Sequence, residues 1–198
     1  MDLFSSTLTI NQRLNSIKDK YKALFGLDKD YQNGKGKFTI LKGNKKNYGN
    51  CVLIILPHVS KSGFLNAPYE KGVLVDTLKK YNIDKYVIMY TQPNKSKSIS
   101  KKLIKSSKHL VDDIIEIVQP KFIIACDSSS ADLFVNQKAN LIELHGTIFT
   151  NYYSIPVILT YHLAYYVEHT GYEDTVYKDS IYTFDWEFIK TNYNLLIK

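Results

Sequence analysis

The chain has 198 residues, a formal net charge of +7 and 44% hydrophobic residues. This length and apolar content favour a single folded domain over residues 1–198 and exclude a largely disordered chain. The first residues contain no secretory signal, and no apolar run approaches the roughly 20 residues needed to span a bilayer. We therefore expect a cytoplasmic protein that makes no membrane contact.

The basic charge predicts a polyanionic partner. The chain has 26 basic and 19 acidic residues, and Arg13 is its only arginine. A lysine ammonium is a point charge without the planar fork of arginine, so this surface suits phosphate contacts better than base reading. Nucleic acid is the expected partner, while a lysine-rich surface that only keeps the protein soluble remains the alternative.

The two cysteines, Cys51 and Cys126, each lie at the end of an apolar run. This position predicts reduced, buried thiols. Two cysteines alone cannot form a zinc or iron–sulfur ligand set. We expect neither a metal nor a cofactor.

Residues 1–50 are predicted to form a helix and a basic loop. Within residues 1–28, apolar side chains recur at helical spacing at Leu14, Ile17, Tyr21, Leu24 and Phe25. A lysine-rich polar stretch then runs from Asn33 to Asn50, with a short strand candidate at Phe38–Leu41. This stretch is either a solvated connection or a mobile basic flap.

Residues 51–198 form the predicted core, in which apolar strands alternate with helices. The predicted strands are Val52–Leu56, Tyr86–Tyr90, Lys121–Cys126 and Ile155–Leu159. The predicted helices span residues 70–81, 99–118, 127–134 and 185–197. His145-Gly146 is a predicted turn between the apolar segments 141–144 and 148–153. This alternation predicts a three-layer αβα sandwich around a mainly parallel four-stranded sheet.

Polar side chains follow three of the predicted strands. Pro57-His58 follows the first, the run from Asp127 to Ser130 follows the third, and Thr160-Tyr161-His162 ends the fourth. Because the carboxyl ends of parallel strands meet at one edge, where open α/β sheets bind ligands, we expect these groups to lie together. An imidazole at such an edge can stabilise a leaving anion. The run after Asp127 is either a helix cap or a phosphate contact.

Five segments carry a resemblance to a known family, namely Pro68-Tyr69, Gln119–Cys126, Leu144–Thr147, Ile155–Tyr165 and Asp185-Trp186. In this order and spacing they resemble the Pro-Phe, the strand before a small-residue helix start, the Leu-Arg-Gly, the Tyr-His-Pro-Ala-Tyr loop and the Trp-Asp pair of the uracil-DNA glycosylase superfamily, above all of its iron–sulfur-containing branch. The resemblance covers most of residues 51–190.

The resemblance implies that a nucleotide is flipped out of DNA and its N-glycosidic bond is cleaved. His162 would donate a hydrogen bond to the departing uracil anion. Tyr69 would stack on the extruded base, and the loop from Leu163 to Tyr166 would enter the minor groove. The remaining implied contacts are Pro57 and Met89 at the base, and Ser128, Ser129, Tyr161 and Tyr165 at the DNA.

The chain departs from this family pattern at the groups that perform the chemistry. The acid or amide that positions water is missing from Ile54–Val59, and the asparagine that reads uracil falls on Met89. The loop proline is replaced by Leu163, and the cluster cysteines are absent. His58 is a candidate substitute for the water activator.

Three functions remain open at this point. The first is a DNA glycosylase that acts on uracil or a modified pyrimidine. The second is a protein that kept the fold but lost the chemistry, and that binds DNA as an accessory or scaffold factor beside a replication or repair protein. The third, a small-molecule enzyme such as a nucleotide hydrolase, is disfavoured because the chain lacks a glycine-rich phosphate loop.

Overall fold

One sheet flanked by helices makes up the computed structural model, which describes residues 8–25, 41–60, 73–96, 101–135, 140–150, 154–162 and 172–198. The strands are β1 (Leu41–Gly43), β2 (Val52–Ser60), β3 (Tyr86–Ser96), β4 (Phe122–Cys126), β5 (Ile148–Thr150) and β6 (Pro156–Thr160). The helices are α1 (Ile10–Phe25), α2 (Val73–Lys80), α3 (Lys101–Val118), α4 (Ser128–Ala131), α5 (Leu141–Leu144) and α6 (Tyr172–Leu196). A short 3-10 turn at Lys45–Asn47 follows β1.

The sheet is mixed and mainly parallel, with the strand order β1-β3-β2-β4-β6-β5. The four central strands β3, β2, β4 and β6 run parallel to one another, whereas β1 and β5 pair antiparallel at the two edges. The predicted α/β class is confirmed, but the predicted count of four strands is wrong. The edge strands have three residues each, too few for a recognisable apolar alternation.

Each face of the sheet buries its own apolar cluster. Ile55 of β2 faces α1 and α3, and its neighbour Ile54 faces α2 and α6. Both side chains are fully buried, as is every residue of β4. Because helices cover both faces, the central strands are continuously apolar instead of alternating.

The chain leaves the neighbouring strands β2 and β4 on opposite faces of the sheet. After β2 it forms α2, whose Leu74 and Leu78 belong to the cluster shared with α6. After β4 it forms α4, whose Ala131 lies in the cluster shared with α1 and α3. This reversal is a topological switch point, and in open α/β sheets ligands bind outside the carboxyl ends of the strands at such a point.

Most predicted helices match the structure, and the last one is longer than predicted. Helix α6 begins at Tyr172 instead of residue 185. The pattern does not predict the first half of this helix, because that half carries few apolar residues at helical spacing. Helix α4 ends at Ala131, short of the predicted end at Phe134. The strand candidate at residues 38–41 and the segment 148–153 are described only at Leu41 and at residues 148–150. None of the described helices combines the length and apolar character needed to cross a membrane.

Truncation of the fully buried Ile124 on β4 is expected to destabilise the protein strongly. Ile124→Ala removes packing inside the sheet and leaves a cavity, at a cost of about 2–5 kcal/mol in the free energy of unfolding. The control Ile142→Ala changes a side chain that is 72% exposed. It should shift the free energy of unfolding by less than about 0.5 kcal/mol. Urea unfolding followed by circular dichroism measures both values, and equal losses would contradict the assigned burial.

Both thiols are expected to resist alkylation in the folded protein. Burial raises the pKa of Cys51 from 9.0 to about 11, and burial together with Asp127 and Asp185 also raises the pKa of Cys126. At pH 8 the reactive thiolate of Cys51 is therefore on the order of one thousandth of the thiol. Iodoacetamide labelling, followed by mass spectrometry, should be at least tenfold slower in folded protein than in urea.

The same pKa shifts predict how stability depends on pH. The thiols ionise at lower pH in the unfolded chain than in the folded one, so their contribution to stability is present below about pH 9 and is lost as the pH rises towards 11. A Cys51→Ala variant should lose less stability than the parent over this interval in pH-dependent urea unfolding. Parallel curves for the two proteins would show that Cys51 does not cause the change.

Candidate functional site

The carboxyl ends of β4 and β6 are joined directly at one edge of the sheet. Cys126 pairs with Thr160 in parallel register, and the Asp127 amide donates a hydrogen bond to the Thr160 carbonyl at 2.9 Å. This contact places the run after β4 beside Tyr161 and His162, both of which are half-buried. Two of the three predicted strand ends therefore lie together.

The Asp127 side chain caps α4 and engages the serines that were predicted to contact DNA. Its Oδ1 accepts hydrogen bonds from the Ser129 amide and the Ser128 hydroxyl, each at 3.0 Å. The Ser129 hydroxyl lies 3.4 Å from the same oxygen. The geometry favours the helix cap over the phosphate contact, because a phosphate placed there would face the Asp127 carboxylate. Asp127 has φ 88°, which is a strained value for a residue with a side chain.

A buried carboxylate binds two groups at the same edge of the sheet. Asp185 of α6 has no exposed surface. Its Oδ2 accepts a hydrogen bond from the Thr160 hydroxyl at 2.7 Å, and its Oδ1 lies 2.8 Å from His145 Nδ1. One side chain thus connects the last helix, the end of β6 and the turn before β5.

The contact with Asp185 fixes the orientation of the His145 ring. Nδ1 of this ring faces the carboxylate, so Nε2 lies on the opposite side of the imidazole, and 19% of the side chain is exposed. The Tyr161 and Phe184 rings flank it, with centroids 5.4 and 6.2 Å away. An imidazole oriented by a carboxylate can transfer a proton or bind a polar ligand atom.

Gly146 makes this arrangement possible. Its φ is +66°, a value that glycine adopts without strain. A Cβ at this position would lie 2.5 Å from the Phe184 ring and 2.9 Å from Asp185 Oδ1. The turn therefore approaches α6 more closely than any residue with a side chain allows.

Met89, predicted at the base-reading position, is fully buried in the cluster with α1 and α3. Leu56 in the middle of β2 belongs to the cluster on the opposite face. The two side chains therefore lie on different faces of the sheet. Met89 is a core residue that exposes no surface to a ligand.

Several predicted site residues are described in part or not at all. Pro57 and His58 continue β2, with His58 opposite Gln92 of β3, and only their backbone is described. Tyr69, Leu163 and Tyr165 lie outside the described residues.

The pairing of His145 with Asp185 was not predicted from the sequence. The two residues are 40 positions apart, and they belong to separate segments of the resemblance. The available signal was the acidic residue between two aromatic ones, Phe184-Asp185-Trp186, on an otherwise apolar helix face. A carboxylate in such surroundings needs a buried partner.

Neutralising Asp185 is expected to weaken its contacts with Thr160 and His145. Asp185→Asn keeps the size of the side chain but removes its charge, and it should lower the free energy of unfolding by about 1.5–3 kcal/mol. The control Asp179→Asn alters an exposed position of α6. It should change the free energy of unfolding by less than about 0.5 kcal/mol. Urea unfolding gives both energies, and a wild-type value for Asp185→Asn would contradict the network.

No model of a known protein family matches this chain, and no curated protein matches it in sequence. Its function is therefore argued from the residues at the carboxyl edge of the sheet.

Proposed function

We propose that the chain is a DNA-binding protein of the uracil-DNA glycosylase type, which excises uracil or a modified pyrimidine. The observation that carries this proposal is the position of Tyr161-His162, directly after β6 and hydrogen-bonded through Thr160 to the end of β4. Helices on both faces of four parallel strands are compatible with the αβα sandwich that the resemblance implies. The switch point between β2 and β4 lies at this same edge.

The Asp185 contacts give His162 a defined starting position. Thr160 is held by the buried carboxylate on one side and by the Asp127 amide on the other. A side chain two residues beyond this anchor is restricted in position before any ligand arrives, which lowers the entropic cost of binding. Asp185 and Thr160 are thus positioning residues in this proposal.

His162 supplies the chemistry. A neutral imidazole that donates a hydrogen bond to the uracil oxygen stabilises the anion that forms as the N-glycosidic bond breaks. Each tenfold rate increase requires about 1.4 kcal/mol. One well-aligned donor in a water-excluded site can therefore contribute about two to three factors of ten.

The net charge of +7 supports DNA as the ligand. Lysines bind phosphates without reading sequence, and binding then releases counterions. A protein that searches for rare damaged bases needs this kind of sequence-independent affinity. Tyr161, half-buried at the edge, and the segment that follows it form the proposed DNA contact.

Binding without excision is the second candidate, and the burial of Met89 favours it. The resemblance assigns this position to the amide that reads uracil, but the Met89 side chain has no exposed surface. In this case the protein keeps the fold without the chemistry, and it binds DNA as an accessory or scaffold factor beside a replication or repair protein.

The excision assay uses the full chain and single- and double-stranded oligonucleotides that contain uracil or hydroxymethyluracil. Alkali-labile abasic sites are expected, and His162→Ala should reduce their rate of formation at least hundredfold because it removes the donor to the leaving group. The control His109→Ala changes an exposed histidine of α3 and should leave the rate unchanged.

Binding to the same oligonucleotides separates the two candidates. Salt-sensitive binding without abasic sites supports the accessory role and removes the glycosylase. Absence of any DNA affinity at low salt overturns both. Excision that persists in His162→Ala would show that the catalytic group lies elsewhere.

A further inference from the structure

A cavity of about 110 Å³ lies between α1, β1 and α3. Its apolar lining consists mainly of Leu14 and Ile17 from α1, Leu41 from β1 and Ile114 from α3. The cavity adjoins β1, whereas His145 adjoins β5, and these strands are the two opposite edges of the sheet. The cavity is therefore separate from the carboxyl-edge site.

The polar part of the lining is cationic. It contains the Lys18 and Lys45 side chains together with the amides of Asn11 and Asn15, and none of the described residues that line the cavity is acidic. The Lys45 ammonium donates a hydrogen bond to Asn11 Oδ1, which holds it at the cavity. Among the described residues, neither lysine forms an ion pair. Both charges can therefore bind an anion.

One wall of the cavity is bare backbone at Gly43. A Cβ at this position would lie 2.9 Å from the Tyr86 carbonyl oxygen and 3.0 Å from Val87 Cα. The close approach of β1 to β3 thus requires glycine in this part of the lining.

Ion pairs hold α1 against α3 on either side of the cavity residues. Arg13 donates to Glu116 at 2.8 Å, and Lys20 donates to Asp113 at 3.3 Å. These pairs are exposed and individually weak. Together with the buried Leu14 and Ile17, they fix the helix that forms one side of the cavity.

We propose that this cavity binds a small organic anion, namely a carboxylate with a short apolar body. Ligand sites typically combine an apolar lining with a few polar groups that orient the ligand. A cavity of about 150 Å³ accommodates benzene. This smaller space therefore holds an apolar body of about three or four carbon atoms, with the carboxylate at the exposed lysines. The carboxylate pairs with Lys18 and Lys45, and the apolar body contacts Leu14, Ile17 and Ile114.

Butyrate is the probe, and methyl NMR of the full chain is the measurement. Butyrate should shift the methyl signals of Leu14, Ile17 and Ile114 and should bind at least tenfold more tightly than butyramide, its neutral counterpart. Inorganic phosphate, an anion without an apolar body, should also bind at least tenfold more weakly. Equal affinity for butyrate and either comparison compound overturns the proposed ligand class, as does the absence of methyl shifts.

Variants test the role of the two lysines. Lys18→Met and Lys45→Met keep an apolar stem but remove the charge, and each should weaken butyrate binding at least fivefold. The control Lys121→Met changes an exposed lysine just before β4 and should leave the affinity unchanged. Unfolding midpoints confirm that each variant is folded, and an equal loss in all three overturns the proposal. These measurements contain no DNA, so their outcome is independent of the excision assay.

Discussion

The carboxyl edge of the sheet depends on one buried carboxylate. Asp185 has no contact with solvent, and the Thr160 hydroxyl and the His145 ring compensate its charge. Burying a charge without such partners costs several kcal/mol, so the three elements that carry these residues must assemble together. The position of α6, the end of β6 and the glycine turn at Gly146 are thus set by one interaction.

This constraint links the core to the proposed function. Both faces of the sheet are covered by helices, and the Asp185 network anchors the last residue of β6. Tyr161 and His162 follow immediately, where a fixed imidazole is more useful than a mobile one. The cavity at the other edge lies between α1 and α3, so the two proposed sites share the sheet but no side chain.

Much of the fold could be predicted from the sequence because strands covered on both faces are continuously apolar. Val52–Leu56 is such a run and forms the first part of β2, and Phe122–Cys126 is another and forms β4. The edge strands β1 and β5 were not predicted as part of the sheet, because three residues carry too little pattern. The first half of α6 was missed for a related reason, since its tyrosines and charged residues show no clear apolar stripe.

Local sequence patterns are enough to establish the α/β class, the four parallel strands and the order in which polar groups follow them, because burial and chain direction leave such patterns. Tertiary structure alone decided which of those groups meet. It paired His145 with Asp185 across 40 positions, turned the Ser128 and Ser129 hydroxyls towards the Asp127 carboxylate, and buried Met89 in the core. These outcomes depend on distances between segments far apart in the chain, and no local spacing encodes such distances.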